Sequence, residues 1–333
     1  GIFSVMHFLV DGLCLCCLYL AVSVYSIPKF ISIFLTYNIL AFLSQPLTGM
    51  WVDSMRHKHW MLLMSVIMLT LAVAITSIYE LYGANSSLYV FIIASLLGIG
   101  NSFFHVWGGK LTAVKTNNDI RALGVFVSTG AMGLAVAMVL CSWQLLYLML
   151  LALSLLAVLY IMMAKDLETA ATQIENTKYT KLETLFPTLP LMPHSMRYLP
   201  KTIHIVICLA MVIIMAVVLF RSFIAESFSS GIVKSNTMIL AIGAAAMLGK
   251  VTGGWLTQKF GIVKAMVSVL FIVLMCLLAK SSNIAILLTG LFMINCTMPV
   301  TLYLANILLR GREGLAFGLL AAALIPGYVM AVL

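Results

Sequence analysis

GMWVDSMRHKHW (49–60) and GGWLTQKFGIVK (253–264) each close a long apolar run on glycine, tryptophan and a cluster of basic residues, just before the next apolar run begins. A second pair repeats the relation: RALGVFVSTGAMG (121–133) is echoed by REGLAFGLLAAAL (312–324). The members of each pair occupy corresponding places in the two halves of the chain. Internal repeats in so apolar a sequence predict two similar helical bundles related about an axis along the membrane normal.

The rest of the chain agrees. Of its 333 residues 63% are hydrophobic and 9% charged, and the mean hydropathy is +1.13. So few polar residues cannot coat a water-soluble globule of this size, which makes the bilayer the solvent. A helix needs about 20 apolar residues to cross the hydrocarbon core, and only helices and closed barrels satisfy their backbone there. The apolar runs lack the ten-residue alternation of a barrel strand, leaving an all-α membrane protein. The spans read as approximately 1–24, 30–50, 61–79, 88–109, 122–140, 143–163, 203–225, 238–256, 263–280, 284–304 and 314–333, about eleven in all. Both ends lie in apolar runs, so the chain is expected to be a fragment with a twelfth span beyond Leu333. No small-residue cleavage site follows the first run, which argues against a signal peptide.

A polar stretch holding Lys165, Asp166, Glu168 and the proline-rich TLPLMPHSMRYLP (188–200) divides the spans. The expected organisation is an N-terminal six-helix bundle over 1–163, a central loop over 164–202 and a truncated C-terminal bundle over 203–333. Loops after even-numbered spans carry Arg56, Lys58, Lys110, Lys115, Arg121, Arg310 and Arg312, whereas loops after odd-numbered spans carry Lys29, Lys234 and Lys280. That asymmetry places the even loops, the N-terminus and the central loop in the cytoplasm. It also accounts for the net charge of +9 without a nucleic acid partner. The seven cysteines fall in apolar stretches with no C-x-x-C spacing and read as packing residues.

Charged groups inside the spans are the candidate site. An ionised side chain at the bilayer centre costs about 2.5 to 3.5 kcal/mol even on the mildest insertion scale, so such residues face a cavity and one another. Asp11 follows His7 by four residues, on one helix face. A histidine and a carboxylate in a low dielectric exchange a proton near neutral pH. Asn101 and His105 repeat the spacing in span 4. At 1.5 Å per residue, Asp11 and Asn101 both lie roughly 20 Å below the external end, and His7 and His105 roughly 26 Å. The proton-coupling candidates are therefore Asp11, His7 and His105. Arg221 in span 7, whose planar fork suits carboxylates and phosphonates, is the leading substrate-binding candidate, with Asn101, Asn295 and Glu226 beside it. By the same ruler it lies about 10 Å deep, and its alternative is to snorkel to the outer interface. Lys250, near the inner end of span 8, reads as snorkelling. Asn295, Thr297 and Pro299 interrupt span 10.

No G-x-x-x-x-G-K-[ST] loop offers an ATP site, and no D-x-x-D, H-E-x-x-H or G-x-S-x-G offers hydrolase or transferase chemistry, so neither an enzyme nor a resident metal or cofactor is expected. Energy is expected from a proton gradient.

Gly49, Trp51, Asp53 and Lys58 resemble the loop signature G-x-L-x-D-R-x-G-R-[RK] of the major facilitator superfamily, with Ser54, Arg56 and His57 at departing positions. Gly254, Leu256, Lys259 and Gly261 form a second copy with Gln258 in the acidic place. The resemblance implies the major facilitator fold, with spans 1, 4, 7 and 10 around a central cavity and a gate that includes Gly49, Asp53, Arg56, Lys58, Arg121, Gly254 and Gly261. A narrower likeness rests on His7 and Asp11 in MHFLVDG, on GIGNSFFHVWGGK (98–110), on Arg121 with Gly124, Gly130 and Gly133, and on VLFRSF (218–223). These are similar to the fosmidomycin resistance branch, although Val106 and Trp107 stand where that branch has proline and an acidic residue. The branch's namesake exports a phosphonate antibiotic and its members' substrates vary, so the expectation is proton-coupled efflux of a drug or a phosphonate-like or anionic compound, by a monomer in the bacterial inner membrane. Uptake of a small anion or nutrient by proton symport is the alternative.

Overall fold

The computed structural model describes residues 1–22, 27–55, 59–82, 87–185, 201–280 and 282–332. They form α1 (Ile2–Val22), α2 (Ile27–Asn38), α3 (Gln45–Ser54), α4 (His59–Tyr82), α5 (Ser87–Lys115), α6 (Ile120–Leu140), α7 (Trp143–Leu185), α8 (Lys201–Ser230), α9 (Asn236–Phe260), α10 (Ile262–Leu278), α11 (Ile284–Asn295), α12 (Met298–Leu308), α13 (Glu313–Ala322) and α14 (Leu324–Val332). Among the described residues ten helical stretches are long and apolar enough to cross a membrane, and Ile262–Leu278 is a shorter apolar eleventh.

Three spans are each built from two helices, and in each a proline follows the break. Pro46 lies just beyond a π-helical turn, Ile39–Leu43, that joins α2 to α3. Pro299 follows the interruption between α11 and α12, and Pro326 the one between α13 and α14. Proline lacks the donor for the carbonyl four residues back and its ring crowds that carbonyl. Hydroxyls beside the breaks bond back onto the preceding turn: Ser44 Oγ donates to the Leu40 carbonyl at 2.5 Å, and Thr297 Oγ1 to the Ile294 carbonyl at 2.8 Å.

One boundary differs from the sequence expectation. α7 continues through 164–185, which was expected to be loop, and α8 starts at Lys201. The segment AKDLETAATQIENTKYTKLETL is rich in alanine, leucine, glutamate and lysine, the strongest helix formers, so helix continues where the apolar run stops.

The protein is inverted relative to a soluble one. Val233 (85% exposed), Val263 (74%) and Met162 (72%) lie on the outside, while Asp11, Asn101, His105, Lys110 and Arg221 are buried. An apolar surface of this extent is stable only against lipid. Trp107, Phe104, Phe126 and Met6 fill the centre of the first half, where α1 packs against α5, α6 and α7. Trp107 stacks edge-on against Phe3 and Tyr160, a packing role for the residue at which the narrower likeness departs.

Candidate functional site

His7 and Asp11 sit one turn apart on α1, with Nε2 3.2 Å from Oδ2. From α5, Asn101 Nδ2 donates to Asp11 Oδ1 at 3.0 Å, and His105 Nε2 lies 3.1 Å from the same oxygen without the alignment of a hydrogen bond. The two imidazoles meet edge to face, 4.5 Å between centroids. The spacing within each span, and the equal depths read from the sequence, thus bring four polar groups into one layer.

His7 Nδ1 lies 2.7 Å from the Phe126 carbonyl oxygen. A carbonyl only accepts, so Nδ1 carries hydrogen and Nε2 is the ring position open to Asp11. A second proton at Nε2, or one on the carboxyl, is what turns that 3.2 Å approach into a hydrogen bond. α6 comes close enough for this only because it presents Gly130: a Cβ there would overlap the Asp11 carboxylate and lie 2.6 Å from His7 Nε2. In the sequence that glycine stands out only through the family likeness, and its role as a floor for the pair carries no residue-type signal of its own.

The layer borders a cavity of about 220 Å³ whose polar lining is His7, Asp11, Gln45, His105, Arg221, Lys250 and Thr301. Arg221 comes from α8 and is 5% exposed, and its Nη1 has no hydrogen-bond partner. It makes no ion pair with Asp11 or Glu226 among the described residues. Lys250 comes from α9, where Gly124 of α6 packs on its carbonyl. It reaches the cavity near enough to feel both Arg221 and Asp11, rather than snorkelling outward. Among the described residues its Nζ makes neither a hydrogen bond nor an ion pair.

The remaining substrate candidates lie off the cavity. Asn101 stands behind Asp11 as its donor. Asn295 Nδ2 donates to its own helix at the Leu291 carbonyl, 2.8 Å, and its Cβ packs at Gly249 of α9. Glu226 is half-buried on α8 and does not line the cavity.

The face carrying the even-numbered loops is shut. Asp53 Oδ1 accepts from Lys110 Nζ at 2.5 Å and from the Gly314 amide at 3.0 Å, while Oδ2 accepts from the Leu315 amide at 2.9 Å. Those amides belong to the first turn of α13, where unsatisfied N–H groups and the helix dipole favour an anion. Gly49 and Gly314 meet backbone to backbone, where a Cβ on Gly49 would lie 2.6 Å from the Gly314 carbonyl carbon. Asn118 Nδ2 donates to the Tyr303 carbonyl at 3.1 Å and Asn306 Nδ2 to Asn118 Oδ1 at 2.9 Å, again joining the halves. Arg121 pairs with Asp119 at 2.8 Å and lies 5.5 Å from the centre of the Trp255 ring. The hydrogen bonds from Arg121 hold the Asp119 carboxyl below its ordinary range. Gly254 packs under the Ile120 carbonyl, and Gly261 ends α9 at φ +81°, a left-handed position that suits glycine. Gln258 is exposed, so the second copy of the loop signature builds no carboxylate latch. Arg56 and Lys58 lie outside the described residues.

The donor atoms of His7, Asp11 and His105 lie within 4.8 Å of one another, a spacing a divalent ion would also accept. Arg221 and Lys250 facing the same cavity raise the cost of adding a dication, and a proton adds half that charge.

The family model described as Major Facilitator Superfamily matches residues 15–331. Among solved structures, the chain is similar to the E. coli fucose:proton symporter FucP, at 11% identity and a TM-score of 0.60, over 99% of this chain and 88% of the symporter. A second structure of FucP, in the outward conformation, matches equally well, with 89% of that chain covered. A bacterial homologue of the iron transporter ferroportin, in an outward-facing state, matches at 14% identity and a TM-score of 0.56, over 99% of this chain and 91% of that one. No curated protein sequence matches.

Proposed function

Because the chain belongs to the Major Facilitator Superfamily, and is therefore an integral, multi-pass membrane transporter rather than an enzyme, we propose that it moves a small anionic molecule in exchange for, or together with, protons. The observation that carries this reading is the Asp11 carboxylate held between two histidines in a cavity that also contains two cations without partners among the described residues. Asp11 with His7 and His105 is the proton site, and Arg221 with Lys250 is the anion site. Asn101 orients the carboxylate. Asn295, off the cavity, bonds back to its own helix, and Glu226 also lies off the cavity.

The halves rock about this site, which opens to one face at a time. The inter-half hydrogen bonds of Asp53 and Asn118 lie together at the even-loop face. With that face cytoplasmic, as the basic loops suggest, the arrangement is outward-facing. One proton supplies about 2.3 kcal/mol per 100 mV and about 1.4 kcal/mol more per pH unit, enough for a substrate ratio of a few hundredfold. The protein works in this reading as a monomer in a bacterial inner membrane. Efflux of a drug or phosphonate-like compound is the direction suggested by the fosmidomycin resistance likeness, which rests on the sequence alone. Symport of an anion is favoured by the placement of the cavity charges.

The test is proton movement in proteoliposomes carrying a pH-sensitive dye, screened against phosphonates, drugs and metabolites. Substrate-driven movement that vanishes in Asp11→Asn supports the assignment. Movement that persists in the variant removes Asp11 from the proton path.

A further inference from the structure

Two cations that have no partner among the described residues, Arg221 on α8 and Lys250 on α9, share one cavity with the proton site. Arg221 is buried with Nη1 unsatisfied, a state that is costly in a membrane protein unless a ligand completes it. Its nearest carboxylate in sequence, Glu226, does not line the cavity, and Asp11 is already engaged by Asn101 and the histidines. The groups bearing on Asp11 are His7 and Cys14 from α1, Tyr37 from α2, Asn101 and His105 from α5 and Lys250 from α9, and Arg221 from α8 lines the same cavity. No further charged side chain lines the cavity among the described residues.

From this arrangement, and resting on the proton-site reading above, we infer that Arg221 and Lys250 together form the binding site for the oxyanion head of a small carboxylate or phosphonate, and that this anion and the proton bind cooperatively, so that the protein is a symporter. With Asp11 ionised, its negative charge repels an anion seated between the two cations. A proton taken up between His7 Nε2 and Asp11 Oδ2 removes that repulsion, and by reciprocity the bound anion draws the proton in. For unit charges about 8 Å apart at an effective dielectric of about 20, each ligand tightens the other by about 10- to 30-fold. Antiport of an anion against protons requires the opposite sign, in which each displaces the other. A cation competing with the proton for Asp11 would have that sign.

The test uses the purified full chain in weakly buffered detergent with a pH dye. Methylphosphonate, pyruvate and acetate, adjusted beforehand to the sample pH, are added at millimolar concentration, with tetraethylammonium as the cationic control and calorimetry as the binding readout. Symport coupling predicts proton uptake on anion binding and about tenfold tighter anion binding at the lower pH. Asp11→Asn should bind the anion at least as tightly and take up no proton. Arg221→Gln and Lys250→Gln should lose both signals, while Lys250→Arg restores them, which separates a lost ligand from a lost fold. Preference among the three probes distinguishes the phosphonate from the carboxylate head. Proton release on anion binding overturns the inference, as does binding indifferent to both cation variants. A response to tetraethylammonium alone, with proton release, also overturns it while leaving Asp11 as the proton site. Anion binding with no proton exchange overturns both readings.

Discussion

Replacing Asp53 by asparagine should open the even-loop face without unfolding the protein. The carboxylate makes three contacts, but they differ in what they respond to. Lys110 lies on α5 in the same half as Asp53, so that buried pair persists whichever way the halves tilt. The Gly314 and Leu315 amides are on α13 in the other half, at 3.0 and 2.9 Å, and these contacts are lost when the face opens. Asparagine keeps one acceptor but turns its NH₂ toward the Leu315 donor. One hydrogen bond to a charged group is therefore lost from the closed state alone, worth about 1.5 to 3 kcal/mol. That shifts the equilibrium between closed and open forms by about 10- to 150-fold. Spin labels at Ser54 and Arg312, both exposed and on opposite sides of the contact, would report it. In a background lacking the seven native cysteines, electron double resonance should show a longer-distance population in Asp53→Asn and a smaller one, or none, in Lys110→Met. Lys110→Met should still lower thermal stability, because it removes a partner present in both states. Identical distance distributions in the parent and Asp53→Asn would refute the latch.

Other expectations follow from individual contacts. Gly130→Ala should abolish proton-coupled transport in the proteoliposome assay with little change in expression, since its Cβ would displace Asp11 from His7. A variant with intact transport would mean the pair is not required. Asp119→Ala removes the cap that accepts from the Arg121 amide at 2.9 Å and should cost about 0.5 to 2 kcal/mol in thermal unfolding. Its carboxyl is held low in the folded state, so its contribution is present above the ordinary carboxylate range and is lost as pH falls through that range and below. Stability of the parent should therefore fall more steeply with acid than that of Asp119→Ala. Cys16 and Cys141, with Sγ atoms 3.2 Å apart, should form an intramolecular disulfide under copper phenanthroline, detected as a linked peptide pair by mass spectrometry.

Spacing and depth were legible in the sequence because both follow from one helical rise. His7 with Asp11 and Asn101 with His105 each lie one turn apart, and equal distances from the span ends place them in one layer, as the 3.0 and 3.1 Å contacts to Asp11 report. Rotation about the helix axis was not legible, because no charge pattern flags it in spans apolar on every side. Lys250 and Asn295 show the consequence: the lysine read as snorkelling faces the cavity, and the asparagine read as a ligand faces α9. Asp53 was readable from its loop signature, but not its acceptance from backbone amides across the halves, since main-chain donors leave no residue type to find. The expected span over 143–163 agrees with the apolar stretch Trp143–Ala164, while helix runs on to Leu185, because hydropathy reports where lipid stops and helix propensity where helix stops.

The same two helices carry the cavity and the closed face, which gives binding a direct mechanical route to the gate. His105 and Lys110 are five residues apart on α5, one touching Asp11 and the other Asp53. On α13, Gly314 supplies an amide to Asp53 and Phe317, less than one turn on, lines the cavity with its ring 6.5 Å from that of His105. Phe317 also fills the space over Gly109, where a Cβ would lie 2.7 Å from its Cγ, so the aromatic ring cannot shift without moving α13 against α5. A change in charge or occupancy beneath Phe317 therefore acts on the element whose first turn closes the latch. Phe317→Ala should uncouple the two: the spin-label distances at Ser54 and Arg312 would no longer respond to pH, whereas in the parent they should. An unchanged pH response in Phe317→Ala would mean that the halves communicate through the α6–α9 seam instead.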